Sequence, residues 1–285
     1  MTTTSGPGPV PAGAPDRPPS QARSAADQPA AAPAGPDVLL VSVVIPVRDD
    51  AEHLEACLTL LAQQTHLPDE IVVVDNGSTD ASASVALRHG ARVVHEPRVG
   101  IPFAAAAGYD AARGELLLRL DADTRPGPDW VAHAVRVLAD PGIDAVSGSG
   151  RFDLPGARGA WLAHVYLGAY YGLGHLAAGH PVLWGSSAAL RSESWRRVRH
   201  LVQRADDVHD DLDLALALGP SARIVVDRDW RVVVSARSVR PGRQWERRLR
   251  RAFRTLRLQW RVAPPWDRWA ESTRGALGRR ASAPR

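Results

Sequence analysis

The chain has 285 residues, enough for one large α/β domain or two small ones with a sizeable core. Its single cysteine, Cys57, excludes a disulfide framework and any multi-cysteine metal site. The net charge of +4 conceals an asymmetry: there is no lysine, and residues 238–285 carry 14 Arg against 3 acidic residues, a patch suited to phosphate-bearing partners.

Residues 1–36 are Pro, Ala, Gly and Ser with scattered charge, a composition that builds no core and predicts a disordered tail. From Val38 onward, strand-like runs alternate with helix-like ones. VLLVSVVIP is followed by AEHLEACLTLLAQQ, EIVVVD by ASASVALRH, ARVVHE by FAAAAGYDAA, and ELLLRL by PDWVAHAVRVLAD, before DAVSGSG. Continuous apolar strands in a βαβα rhythm predict a mostly parallel, Rossmann-like sheet with helices on both faces. Cys57 falls in the first of these helices, where a buried, inert thiol is expected.

The rhythm weakens after Gly150. Residues 159–180 are aromatic and apolar and predict one or two helices broken at Gly172 and Gly174. PVLWGSSAALR reads as a strand turning at Gly185, and SESWRRVRHL as a short helix capped by Ser192. An acidic cluster in DDVHDDLDLALAL opens an amphipathic helix, and ARIVVD and WRVVVSA read as two short strands forming an edge pair. Last comes QWERRLRRAFRTLRLQW, with Trp245, Leu249, Phe253, Leu256 and Trp260 three or four apart and Arg between them. Such a helix fits an anionic membrane surface, and it equally fits packing on its own domain.

In a parallel sheet the ligand crevice lies beyond the carboxyl ends of the strands. Those ends carry Val47-Arg48-Asp49-Asp50, then Asp75 through Asp80, then Asp121 and Asp123. Carboxylates as close as Asp121 and Asp123 repel one another unless a cation neutralises them. Helix capping by Asp49, Asp50, Thr79 and Asp80 is the plainer explanation for part of the set.

The assembled pattern resembles the family-2 inverting glycosyltransferases of the GT-A fold, from about Val41 to about Leu218. VSVVIPVRDD is similar to the family's nucleotide-binding opening strand, which assigns donor contacts to Pro46, Val47 and Asp49. EIVVVDNGSTD is similar to its second motif, which sets Asp75 on the base or ribose. ARGELLLRLDADT is similar to the metal motif, with Asp121 near the ribose and Asp123 on a Mn2+ or Mg2+ ion bridging the diphosphate. WGSSAALR resembles the acceptor-side turn, here Trp184, Gly185 and Ser186. HDDLDLAL resembles the segment that supplies the general base: Asp211 is the matched residue, Asp210 the second choice, and His209 a candidate aid to the metal or diphosphate.

The match has gaps. Ala105 and Ala106 stand where members of the family usually carry Arg-Asn, which leaves Arg98 or Arg113 to take over any donor contact. The processive-synthase spacing after the base is missing, which argues against a polymerising enzyme. The resemblance implies a nucleoside-diphosphate sugar as donor and a hydroxyl acceptor; the apolar segment and basic tail suggest a lipid-linked or membrane-bound one, and a soluble hydroxyl compound would serve the same mechanism. Two other readings stay open. A nucleotidyltransferase would open with a Gly-rich phosphate loop that VIPVRDDAEH lacks, and a non-catalytic lipid- or nucleic-acid-binding protein would have no need for clustered acids. Nucleic acid is disfavoured, since no stacking platform accompanies the basic tail. No run reaches 18 apolar residues and no charged leader precedes an apolar stretch, so the expected location is the cytoplasm, or the inner membrane face as a peripheral protein.

Overall fold

The computed structural model describes residues 1–2, 39–239 and 243–281. The predicted disordered tail falls almost wholly outside the described residues. From Leu39 onward the chain forms one compact unit.

Its first half follows the predicted alternation: β1 (Val41–Val47), α1 (Ala51–Leu61), β2 (Glu70–Asp75), α2 (Ser82–Arg88), β3 (Arg92–His95), α3 (Ile101–Ala111) and β4 (Leu116–Arg119). Next come a short β5 (Thr124–Pro126), α4 (Trp130–Leu138), β6 (Ala145–Phe152), α5 (Arg158–Ala178), β7 (Ala188–Arg191), α6 (Ser192–Val198), α7 (Asp210–Leu218) and β8 (Ile224–Val234). A 3-10 turn (Ala236–Val239) leads to α8 (Arg243–Val262) and α9 (Pro265–Ala281).

The described strands form one sheet in the order β3-β2-β1-β4-β7-β6-β8-β5. Only part of it is parallel, which corrects the expectation of a mostly parallel sheet. β1 pairs in parallel with β2 and β4, β2 with β3, and β6 with β8, whereas β7 runs antiparallel to both β4 and β6, and β5 antiparallel to β8, so the sheet is mixed. Every residue of β1 is buried, and so is every residue of β4, because helices cover both faces of this part of the sheet. One apolar cluster lies on the α1 side, around Ile45, Leu54, Leu58 and Leu118, and a second on the α3 and α7 side, around Val44, Val74, Leu117 and Leu216. Cys57 is fully buried in the first, where burial, then Asp123 and Asp121, push its thiol far above the ordinary range.

Three local expectations are also corrected. Residues 159–180 do not break at Gly172 and Gly174, since α5 runs through both. At Gly174 a Cβ would lie 2.6 Å from a Val182 methyl, so this glycine serves the close approach of the following segment. Within PVLWGSSAALR only Ala188–Arg191 is strand. ARIVVD and WRVVVSA are one strand, β8, whose pairing with β6 jumps from Val226 to Arg231. The intervening bulge buries Trp230, which stacks on Trp130 with ring centroids 5.1 Å apart and donates from Nε1 to the Trp130 carbonyl.

Of the predicted basic extension, α8 docks through polar anchors more than through its apolar stripe. Thr255 Oγ1 accepts from His209 N at 2.8 Å, Gln259 Nε2 donates to Asp213 at 2.7 Å, and Trp260 Nε1 donates to the Ala177 carbonyl. Leu249 and Phe253 remain exposed, at 54% and 70%. The helix α9 had no clear periodicity in sequence. It is pinned by Arg268, which is buried and donates to the carbonyl of Leu216 in the last turn of α7, where a cation complements the helix dipole.

Candidate active site

The first two strand ends lock into each other. Asp49 adopts a φ of 49°, a left-handed conformation that Asp tolerates better than most residues, and its carboxylate accepts from the backbone N–H of Thr79 at 2.7 Å and from the Thr79 hydroxyl. Asp80 returns the exchange by accepting from Ala51 N at the start of α1 and from Ser82. Of the expected caps only Asp80 acts as one, accepting from the first N–H of both α1 and α2, while Asp49 ties the two loops together and Asp50 and Thr79 cap neither helix. Asp49 is held as scaffold, its carboxyl lowered by Thr79. Pro46 and Val47 lie buried in β1, opposite Val74 and Asp75.

Asp75 is buried at the end of β2, accepting from Ser78 N at 2.9 Å and lying 3.3 Å from His95 Nδ1. Beside it, Asn76 clamps the loop that enters α3: Nδ2 donates to the carbonyls of Glu96 and Arg98, and Oδ1 accepts from Gly100 N. Arg98 forms a two-pronged pair with Glu96 at 2.9 Å and lies over the Phe103 ring. Arg113 donates only a backbone N–H, to Glu70, among the contacts described for it. Ala105 and Ala106 are buried packing residues of α3.

The centre of the site is Arg119, the one charge within LLLRL. Its side chain is 3% exposed and pairs with both Asp210 and Asp121, the latter at 3.2 Å. Gly185 makes this possible: a Cβ there would sit 2.9 Å from the guanidinium carbon. Asp121 also accepts from Ser186 Oγ at 2.7 Å, so the predicted metal motif and the predicted acceptor turn are joined directly. Trp184, Gly185, Ser186, Asp121, Asp210 and Asp211 share one cavity of about 130 Å3, which Arg248 and Arg251 of α8 also line.

Asp210 and Asp211 open α7 but differ in surroundings. Asp211 accepts from Gly185 N and Leu212 N, each at 2.7 Å, and from Tyr170 Oη at 3.2 Å. His209 Nδ1 lies 2.5 Å from the same carboxylate, out of line for a hydrogen bond and close enough for an ion pair. Burial favours the neutral acid at Asp211, but His209, Arg119 and the Gly185 N–H outweigh it and hold the carboxyl well below the usual range. At Asp210, burial outweighs the pull of Arg119 and raises the carboxyl.

Asp123 stands apart from this group. Its carboxyl is pushed up to about 6 by burial and by Asp121, with Arg237 pulling the other way. Arg237 bridges Asp50, at 2.6 Å, and Asp123, at 3.3 Å. Buried carboxylates that repel each other and are only part-neutralised are a donor set suited to a divalent cation. The pairing of Asp123 with His209 is not found among the described contacts; the ligand atoms of His209, Asp210 and Asp211 lie within 4.8 Å of one another instead.

Arg119, Arg237, Arg248, Arg251 and Asn76 were absent from the sequence-derived site. A lone charge inside an apolar strand was the available signal for Arg119. The arginines of α8 are indistinguishable in sequence from those facing solvent.

Residues 42–199, more than half of the chain, match the model of glycosyl transferase family 2. The chain belongs to this family. Among curated family relatives, glycosyltransferase AglE of Haloferax volcanii is 31% identical over 123 residues, covering 40% of each protein. An uncharacterized glycosyltransferase of Mycobacterium tuberculosis is 38% identical over 125 residues, covering 44% of this chain and 55% of that one. The match thus spans about half the length of these relatives or less. In fold, the chain is similar to glucosyl-3-phosphoglycerate synthase of Mycobacterium tuberculosis in complex with Mn2+, UDP-glucose and phosphoglyceric acid, with a TM-score of 0.57, 23% identity and coverage of 78% and 80%. It is also similar to mannosyltransferase PcManGT of Pyrobaculum calidifontis with GDP-mannose and Mn2+, with a TM-score of 0.55, 23% identity and coverage of 87% and 76%. These likenesses place the family 2 domain on the GT-A-like fold.

Proposed function

We propose that the protein transfers a sugar from a nucleoside-diphosphate sugar to an acceptor hydroxyl, with inversion and with a divalent cation, Mn2+ or Mg2+. The observation that carries the reading is the Ser186 Oγ to Asp121 bond, which brings the donor-side motif and the acceptor-side turn to one cavity. The Mn2+ and sugar nucleotides in the two similar structures support it.

In this reading the base and ribose lie against Pro46, Val47 and Asp75, with Asp121 near the ribose. Asp123 holds the cation, which neutralises charge building on the leaving diphosphate. Arg119 cannot meet the diphosphate while Asp210 and Asp121 occupy it, so its role is to fix those two carboxylates. Proton acceptance falls to the Asp210–Asp211 pair. The resemblance assigns it to Asp211, yet Asp211 is surrounded by donors that weaken it as a base. Asp210 keeps one oxygen without a donor among the described contacts, and its carboxyl is raised towards a better base. We therefore place the proton on Asp210, with Asp211 anchoring Gly185 and Tyr170.

A lipid-linked acceptor and peripheral attachment to an anionic membrane are the finer part of the proposal. They are supported by exposed Trp161, Leu173 and Leu176 on α5 and Leu249, Phe253 and Trp266 on α8 and α9, set among exposed Arg250, Arg254 and Arg257. No described helix is long and apolar enough to cross a membrane.

The test is incubation of the protein with UDP- and GDP-sugars and Mn2+, with acceptors of both soluble and lipid-linked kinds, followed by release of nucleoside diphosphate and the anomeric configuration of the product. Release that depends on acceptor, with an inverted product, is the expected result. A product with the donor's configuration would overturn the single-displacement reading.

A further inference from the structure

A second cavity is larger than the catalytic one. A groove of about 620 Å3 runs along the sheet's outer edge between α5 and strands β5, β8 and β6, a size typical of small-ligand sites. Four arginines line it: Arg125, Arg151, Arg228 and Arg231. Arg125 is paired with Asp153 and Arg231 with Asp229. Arg151 and Arg228 are exposed, and no ion pair or hydrogen bond is found for either guanidinium among the described residues, although the Arg228 carbonyl accepts from Ser149 Oγ and Arg231 Nε. No carboxylate is among the lining side chains. With Arg125 and Arg231 paired, Arg151 and Arg228 are the rim cations without a counter-ion among the described residues, and they favour an anion.

The floor has a different character. Ala163, Leu167 and Val232 are apolar, and the Tyr171 hydroxyl turns away to Ser147 and Gly148, leaving its ring to the groove. Over Gly168 on α5 there is no atom within 4 Å of where a Cβ would stand, so the depression continues along the helix. A cationic rim over an apolar floor is complementary to one kind of molecule, an anionic head on a hydrocarbon chain.

Phe152, Val234 and Tyr166 line the catalytic cavity and are the immediate chain neighbours of Arg151, Val233 and Leu167 in the groove, so β6, β8 and α5 each contribute to both cavities.

We propose that this groove binds a phosphate-headed amphiphile, its phosphate on Arg151 and Arg228 and its hydrocarbon chain along Ala163, Leu167 and Val232. Binding rests on the groove alone and is independent of the transferase reading above.

The experiment is calorimetry on the full chain with farnesyl phosphate below its micellar concentration, with inorganic phosphate and farnesol as separate probes. Farnesyl phosphate is expected to bind at least about tenfold more tightly than either. The double variant Arg151→Gln/Arg228→Gln is expected to lose about tenfold or more in that affinity, and Gly168→Leu, which fills open space on a helix, to weaken it as well. Arg88→Gln/Arg196→Gln, on α2 and α6, is the control expected to bind as wild type. Equal affinity for inorganic phosphate, no binding of farnesyl phosphate, or unchanged binding in both groove variants would each overturn the proposal. Nucleotide binding with Mn2+, measured on the same samples, separates the two readings. Its loss alone would sink the transferase assignment and leave the groove standing, and the reverse pattern would do the opposite.

Discussion

Arg237 holds Asp123 from across the crevice, with Nη2 3.3 Å from the carboxylate and the same guanidinium 2.6 Å from Asp50. One arginine thus neutralises part of a pair of acids whose companion, Asp121, is tied to Arg119 and Ser186. The residual repulsion has a measurable consequence. Burial and Asp121 raise the Asp123 carboxyl from an ordinary 3.8 to about 6, a penalty for the ionised folded form of up to about 3 kcal/mol. Since the folded state binds the proton more tightly, stability from this group is present at low pH and is lost as pH rises from about 4 to about 6. Asp123→Asn should therefore raise the Tm of the metal-free protein at pH 7 by several degrees, with the gain shrinking towards zero near pH 4. Thermal unfolding of both proteins across that range checks it, and equal Tm values at pH 7 would contradict it.

Removing Arg119 leaves Asp210 and Asp121 facing each other in a buried site. Arg119→Met should destabilise the fold by about 3–5 kcal/mol, the usual cost of stranding buried charge. Arg119→Lys should recover little of this, because one ammonium does not replace a planar fork spanning two carboxylates. Urea unfolding reads both.

Gly185 is tested by a single methyl. Gly185→Ala places a carbon 2.9 Å from the Arg119 guanidinium, and the shift needed to relieve it should cost about 1–3 kcal/mol. Turnover should fall with it, since Gly185 N anchors Asp211. Activity assays alongside denaturation distinguish a site effect from loss of fold.

The two acids of α7 should respond differently. Asp210→Asn is expected to lower kcat by about 10²–10⁴ with donor KM little changed, as for loss of a general base. Asp211→Asn should lose stability too, because in either orientation the carboxamide nitrogen meets a donor, Gly185 N on one side or Tyr170 Oη and Leu212 N on the other. If Asp210→Asn keeps wild-type turnover and Asp211→Asn abolishes it without destabilisation, the base is Asp211.

The first half of the fold was legible because β1, β2 and β4 are buried on both faces and read as unbroken apolar runs joined by amphipathic helices. In the second half α6, α7 and α8 were legible, but the short strands and their directions were not. β7 has four residues and β5 three, too short for a periodicity, and their direction is set by pairing with β4 and β8 rather than by local sequence. Gly172 and Gly174 looked like breaks because helix propensity was the only information available, whereas Val182 gives Gly174 a packing reason. At the site, the acids were visible from their spacing at strand ends. Their counter-ions were not: Arg119 reaches Asp210 across 91 positions and Arg237 reaches Asp50 across 187, distances over which no sequence pattern operates.

The central claim is a nucleotide site completed by a metal on Asp123. Calorimetric titration of UDP, GDP and dTDP, with and without Mn2+, into wild type and Asp123→Asn tests it most directly. The account predicts Mn2+-dependent binding of at least one nucleotide that is lost in the variant. Binding that is indifferent to both Mn2+ and the substitution, or absent for every nucleotide, would contradict it.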